Sequence, residues 1–132
     1  MSNEGTTWDE MVEQCSELGL LAKKLYVVFT TPVNGLGPIM EVLDEHLAYQ
    51  NKIQDTGIMF GAGPFSDDTE TKWDGDGMVI IRADSIAAAR AIADNDPMHK
   101  AGARTYHIRP WLLNEGKLTI DLKFSNKTMG IK

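Results

Sequence analysis

Apolar positions along this chain follow helical and strand periods in alternating blocks. From Thr7 onward, Trp8, Met11, Val12, Cys15 and Leu18 recur at helical spacing, with Asp9, Glu10, Glu13 and Glu17 opposite. Thr6 or Thr7 suits the N-cap and acids fill the first turn, so an amphipathic helix is predicted to end near Gly19. Residues 25–31 are β-rich and apolar on both faces, and Pro32 with the Gly35-Leu36-Gly37 loop stops that strand. Pro38 suits a first helical position. Ile39, Val42, Leu43, His46, Tyr49, Gln50 and Ile53 then form one stripe, closed by Gly57. Residues 58–65 read as a strand that leaves its sheet at Pro64. Residues 66–77 are polar, rich in Asp and Gly, and carry Trp73, which predicts a loop or hairpin tip.

Residues 78–83 make the next strand. Asp84-Ser85 caps a helix over 86–93, and Pro97 breaks it. Residues 98–104 read as a short irregular connection. Residues 105–111 alternate as a strand, and a last strand over 118–124 follows the Asn114-Glu115-Gly116 turn. The order is two successive β-α-β units, which predicts an α+β, ferredoxin-like split sheet with both helices on one face. Tyr26 and Val28 alternate with Val27 and Phe29, and Val79 and Ile81 with Met78 and Ile80, so both sheet faces are apolar. The face without helices needs a cover: the N-terminal helix, the C-terminal strand, or a second subunit. A dimer packed sheet against sheet is the economical arrangement.

Composition narrows the function classes. The chain has 132 residues, 42% hydrophobic and 24% charged, which suits one soluble core. A net charge of -6 argues against a nucleic-acid binder, which needs clustered Lys and Arg. The lone Cys15 precludes an internal disulfide and reads as a core thiol. The acidic start is unlike a signal peptide and no run is long enough for a membrane span, so a cytoplasmic protein is expected.

The candidate chemistry centres on His46, which stands on the apolar stripe of its helix. A histidine there acts as a general acid/base facing a pocket, or is a half-buried structural residue; periodicity favours the structural role. Asp94 and Asp96 end the next long helix. Asp96 either orients His46 and stabilises its imidazolium, or is a turn former before Pro97. His107, Arg109 and Trp111 share the strand face opposite Tyr106, Ile108 and Pro110. Arg109 there clamps an anionic substrate or makes an interface ion pair. His46, His99 and His107 lack metal-ligand spacing, so no metal is expected. Gly61-Ala62-Gly63-Pro64 lacks phosphate-loop spacing, and close backbone packing explains its glycines better.

These residues resemble the YciI-like (YCII-related) proteins of the dimeric α+β-barrel superfamily. The similarity runs from about Leu25 to Leu113 through Glu45-His46-Leu47, Gly57, Ala62-Gly63-Pro64, the apolar strand at 78–81, Asp96-Pro97, Ala101-Gly102 and Ile108-Arg109-Pro110-Trp111. It implies a domain over 25–113, flanked by an N-terminal tail and helix (1–24) and a C-terminal strand and tail (114–132). It also implies a subunit that dimerises through its sheet and a site of one histidine and one aspartate, here His46 and Asp96. Relatives include a dehydrochlorinase acting on a chlorinated aromatic, and similar barrels include muconolactone isomerases.

The expected activity is therefore a lyase or isomerase that needs no cofactor and acts on a small cyclic or aromatic organic acid. His46 would move the proton and Asp96 orient it, with Arg109, His107 and Trp111 binding substrate. A non-catalytic ligand-binding protein is the alternative, and a monooxygenase-like barrel ranks third. The expected partners are a second copy of the chain and a small organic molecule, with no nucleic acid and no membrane.

Overall fold

The computed structural model describes residues 4–132. It falls into two compact units: residues 24–112, and the terminal segments up to Lys23 and from Leu113.

The central unit carries a four-stranded sheet in the order β2-β3-β1-β4. These strands are β1 (Lys23–Pro32), β2 (Met59–Pro64), β3 (Gly77–Ile81) and β4 (Arg104–Leu113). β3 pairs antiparallel with β1 through Tyr26–Ile81 and Val28–Val79, and antiparallel with β2. This is the ferredoxin-like α+β order predicted from two β-α-β units. Between β1 and β2 lie α2 (Gly37–Glu41) and α3 (Leu43–Asp55); between β3 and β4 lie α4 (Ile86–Asp94) and α5 (Pro97–Lys100).

The predicted helical stripe is correct in register but is divided at Val42, whose φ of -112° and ψ of 15° leave helical geometry. Gly57, at φ +80°, ends α3 in the left-handed conformation that glycine adopts without a Cβ penalty. Ser85 caps α4 by accepting from the Ala88 N–H at 3.0 Å. The connection expected to be irregular after Pro97 is α5, started by Asp96 as N-cap and Pro97 in its first turn.

One core lies between the sheet and the helices: Val28, Ile81, Ala89 and Ala93, with Tyr26, Val79, Tyr106 and Ile108 against them. Alternation thus assigned the helix-facing side of β4 correctly at Tyr106 and Ile108. A second cluster joins Ile39, Met98 and Ala103 with Val42 and Leu43. It ties α2 and α3 to α5.

In the terminal unit, α1 (Trp8–Glu17) is capped by Thr7, whose hydroxyl oxygen accepts from the Glu10 N–H at 3.1 Å. Cys15 is buried and accepts from the Asn114 side-chain amide at 3.3 Å, as a core thiol would. Trp8 and Met11 of the same stripe are exposed. The single C-terminal strand expected at 118–124 is a hairpin of β5 (Ile120–Lys123) and β6 (Thr128–Ile131), a two-stranded sheet of its own. No helix among the described residues is long and apolar enough to cross a membrane.

Candidate functional site

The central unit contains a cavity of about 400 Å³ under the start of α3. Its apolar lining includes Leu43, Leu47, Met59, Met78 and Val79, and its polar lining includes Thr30, His46, Gln50, Asp76 and Arg104. Trp73 and Asp76 bring the acidic loop 66–77 to its rim. Trp73 donates its indole N–H to the Asp76 carbonyl at 2.9 Å, and the Thr31 hydroxyl donates to Asp76 Oδ1 at 2.5 Å.

Gly75 sits at φ +107°, and a Cβ there would run into the Pro32 ring and crowd Leu36 and Ile39. Only glycine lets this loop lie so close. Gly61 and Gly63 have no such reason, because a Cβ at either would meet nothing within 4 Å. Close packing is therefore not why they are glycine. The pairing of β2 with β3 shifts register between Met59 and Gly61. Beyond that shift Ala62, Gly63 and Pro64 line the cavity, where missing side chains leave room.

His46 and Asp96 meet. Their Nδ1 and Oδ1 atoms are 2.8 Å apart, and the side chains are only 13% and 7% exposed. Fifty residues of separation are closed by α3 lying against α5. Asp96 Oδ1 also accepts from the Met98 N–H at 2.9 Å, and Oδ2 accepts from the Gln50 amide at 3.3 Å. Burial drives the Asp96 pKa upward. The hydrogen bonds from His46 and Met98 and the positive charge of His46 and His99 outweigh it, leaving the carboxyl below its ordinary 3.8. An ionised Asp96 accepts the Nδ1–H proton of His46. The other ring nitrogen, Nε2, is then the one free to exchange a proton. This is an orientation device: the carboxylate fixes tautomer and ring plane, and His46 faces the cavity.

The other histidines are engaged elsewhere. His99 donates from Nδ1 to the Ala93 carbonyl at 2.6 Å, and its Nε2 lies in hydrogen-bond contact with the Thr30 hydroxyl at 2.9 Å. His107 stacks on Phe29 with centroids 4.7 Å apart, on the face away from the helices. Among the described residues no group of three or more His, Cys, Asp or Glu is placed to hold a metal ion.

Arg109 and Trp111 line a separate hollow of about 270 Å³ with Val27, Phe29, Met78 and Ile80. Neither they nor His107 line the His46 cavity. The arginine that does is Arg104, buried and donating from Nη2 to the Gly75 carbonyl at 2.8 Å. Sequence reading left it in an irregular connection. The available signal was parity: Arg104 lies on the same strand face as Tyr106 and Ile108, where a charge is out of place.

Residues 25–112 match the profile of the YCII-related domain, two thirds of the chain. The chain belongs to the YCII-related family. No curated protein sequence matches it significantly. A solved structure that this YCII-related chain resembles is 5-chloro-2-hydroxyhydroquinone dehydrochlorinase (TftG) of Burkholderia phenoliruptrix AC1100, in complex with 2,5-dihydroxybenzoquinone. The TM-score is 0.53 at 21% identity, over 66% of this chain and 92% of that one. At that identity the likeness is one of fold. It covers nearly all of the neighbour, so the terminal segments of this YCII-related protein are largely additions to the shared subunit.

Proposed function

We propose that this protein is an acid/base enzyme, a lyase or isomerase that needs no cofactor and acts on a small cyclic or aromatic organic acid. The observation that carries the reading is the buried His46–Asp96 hydrogen bond at the wall of a cavity large enough for a single ring. In this reading His46 Nε2 accepts a proton from a substrate carbon beside a carbonyl. The electron pair left behind forms a C=C bond, either to the next carbon as that carbon's bond to a leaving group breaks, or to the carbonyl carbon as the C=O π pair moves onto oxygen. It either expels an anionic leaving group, giving a lyase, or takes the proton back from His46 at the far end of the enolate, giving an isomerase. Asp96 holds the imidazolium through Nδ1 in both cases. The neighbour of similar fold is named for an elimination on a ring and was solved with a cyclic dione, which supports a ring-sized ligand here.

A non-catalytic ligand-binding role is the second reading, and one observation favours it. Asp96 caps α5 whether or not His46 turns over a substrate. The two readings separate in His46→Gln, which keeps size and hydrogen bonding but cannot shuttle a proton near neutral pH. The enzyme reading expects turnover of a ring substrate, chosen from the activities encoded beside this gene, to fall by about 10²–10⁴-fold with the melting curve little changed. Full turnover in a stably folded His46→Gln protein ends it.

The working assembly in this proposal is a homodimer closed over the helix-free sheet face. His107, Arg109 and Trp111 then belong to the subunit interface rather than to the His46 cavity. Phe29 under His107 and the exposed Trp111 support that placement.

A further inference from the structure

The His46 cavity has a second pole whose chemistry the proton transfer does not use. Arg104, 9% exposed, lines it. Of its five donor hydrogens, one is given to the Gly75 carbonyl, while Nε is buried and has no hydrogen-bond partner. Two carboxylates act on it electrostatically, Asp96 and Asp76. Both are engaged elsewhere: Asp96 with His46, Met98 and Gln50, and Asp76 with Thr31. Neither comes within 4 Å as an ion pair, the pairs described being His46–Asp96 and Lys132–Asp121. Burial pulls the guanidinium below its ordinary value, and the two carboxylates push it only part of the way back up. An arginine remains charged at neutral pH in either case.

A buried cation with an unused donor is unfavourable. Gln50 presents the opposite need in the lining of the same cavity. Its Oε1 is buried, accepts nothing, and belongs to a side chain that lines the cavity. One pole therefore lacks an acceptor and the other lacks a donor, with apolar surface from Leu43, Met59 and Val79 around them.

We propose that Arg104 and Gln50 form the recognition subsite of the cavity. Arg104 Nε–H takes an oxyanion of the ligand, and Gln50 Oε1 accepts from a hydroxyl next to it. The ligand is then a ring compound bearing a carboxylate or phenolate-type oxygen and a neighbouring hydroxyl, not a neutral ring. This rests on reading the cavity as the ligand site, but not on turnover by His46.

Equilibrium binding separates the two claims. At pH 7.5 the intact protein is titrated with salicylate, benzoate and uncharged salicylamide, by calorimetry or Trp fluorescence. Salicylate should bind about ten- to a hundredfold more tightly than salicylamide, the range expected for one charge-assisted hydrogen bond, with benzoate between them. Arg104→Met should erase the preference for the anion. Arg104→Lys keeps charge and a donor for Gly75 but lacks the planar fork, and should retain only part of it. His46→Gln should leave the preference intact, so loss of turnover and loss of anion recognition are distinguishable. Equal affinity for salicylate and salicylamide overturns the proposal, as does failure of all three to bind at millimolar concentration. So does a wild-type preference in Arg104→Met. If that variant does not fold, the comparison of ligands on the wild-type protein decides alone.

Discussion

Asp96 is the residue on which the central unit turns. One of its oxygens serves His46 and the Met98 N–H of α5 together, and the other accepts from Gln50. Because its folded pKa lies below the ordinary 3.8, the folded protein resists protonation there while the unfolded chain accepts it. Its contribution to stability is complete above the unfolded value and is lost as pH falls through the folded one. Asp96→Asn keeps a side chain able to cap α5, and Gln50 can turn its free Oε1 toward the new amide. The variant should therefore fold at neutral pH and show a flatter acid limb when stability is followed by denaturant unfolding from pH 5 to pH 2. An acid limb as steep as the wild type's would mean that the carboxylate is not held below its ordinary value. The pairing itself was legible in sequence only as a possibility, since spacing cannot state a 2.8 Å contact. Arg104 was passed over because β4 was started one residue late, which moved it from a buried strand face into a connection.

At the scale of elements, the loop between β2 and β3 depends on one backbone position. Gly75 has a φ reserved for glycine and lies against Pro32, Leu36 and Ile39, while its carbonyl holds Arg104. Gly75→Ala should cost about 1–3 kcal/mol from backbone strain and displaced packing, measured as a shift in the denaturant midpoint. Unchanged stability would show that the loop can move away from Pro32 freely. Sequence predicted this loop from its Asp and Gly content, but not that it reaches the cavity, because nothing local distinguishes a docked polar loop from a solvated one. The split at Val42 and the short α5 were missed for a related reason. A stripe of the right period continues through Val42, and a four-residue helix is too short to have a period. The second strand of the C-terminal hairpin escaped likewise, since Thr128–Ile131 is four residues with Gly130 inside it. Its partner showed the clear alternation, and the cross-strand neighbours Ile120–Ile131 and Leu122–Met129 complete it.

For the whole molecule, the helix-free side of the sheet bears on assembly. Phe29, Met78, Ile80, Arg109 and Trp111 surround a hollow there, and Trp111 is 38% exposed in the single chain. Apolar side chains exposed around such a hollow are expected to find a partner. Sedimentation at micromolar concentration should show a dimer, and Trp111→Glu should shift it toward monomer by placing a charge in an apolar contact. A stable wild-type monomer would remove the sheet-to-sheet arrangement. The fold class was readable here because it follows from element order and from apolar character on both faces. Both properties survive errors of a residue or two at every boundary.

The double attachment of Asp96 also bears on how related sequences are interpreted. A descendant that lost its chemistry would still need a cap for α5, so selection for folding alone can keep the aspartate in place. His46 has no comparable duty in holding a helix end. In a comparison across kin, an aspartate standing where His46 has been replaced by an apolar residue would therefore mark a fossil of the site. The histidine, not its partner, is the informative witness to a surviving reaction.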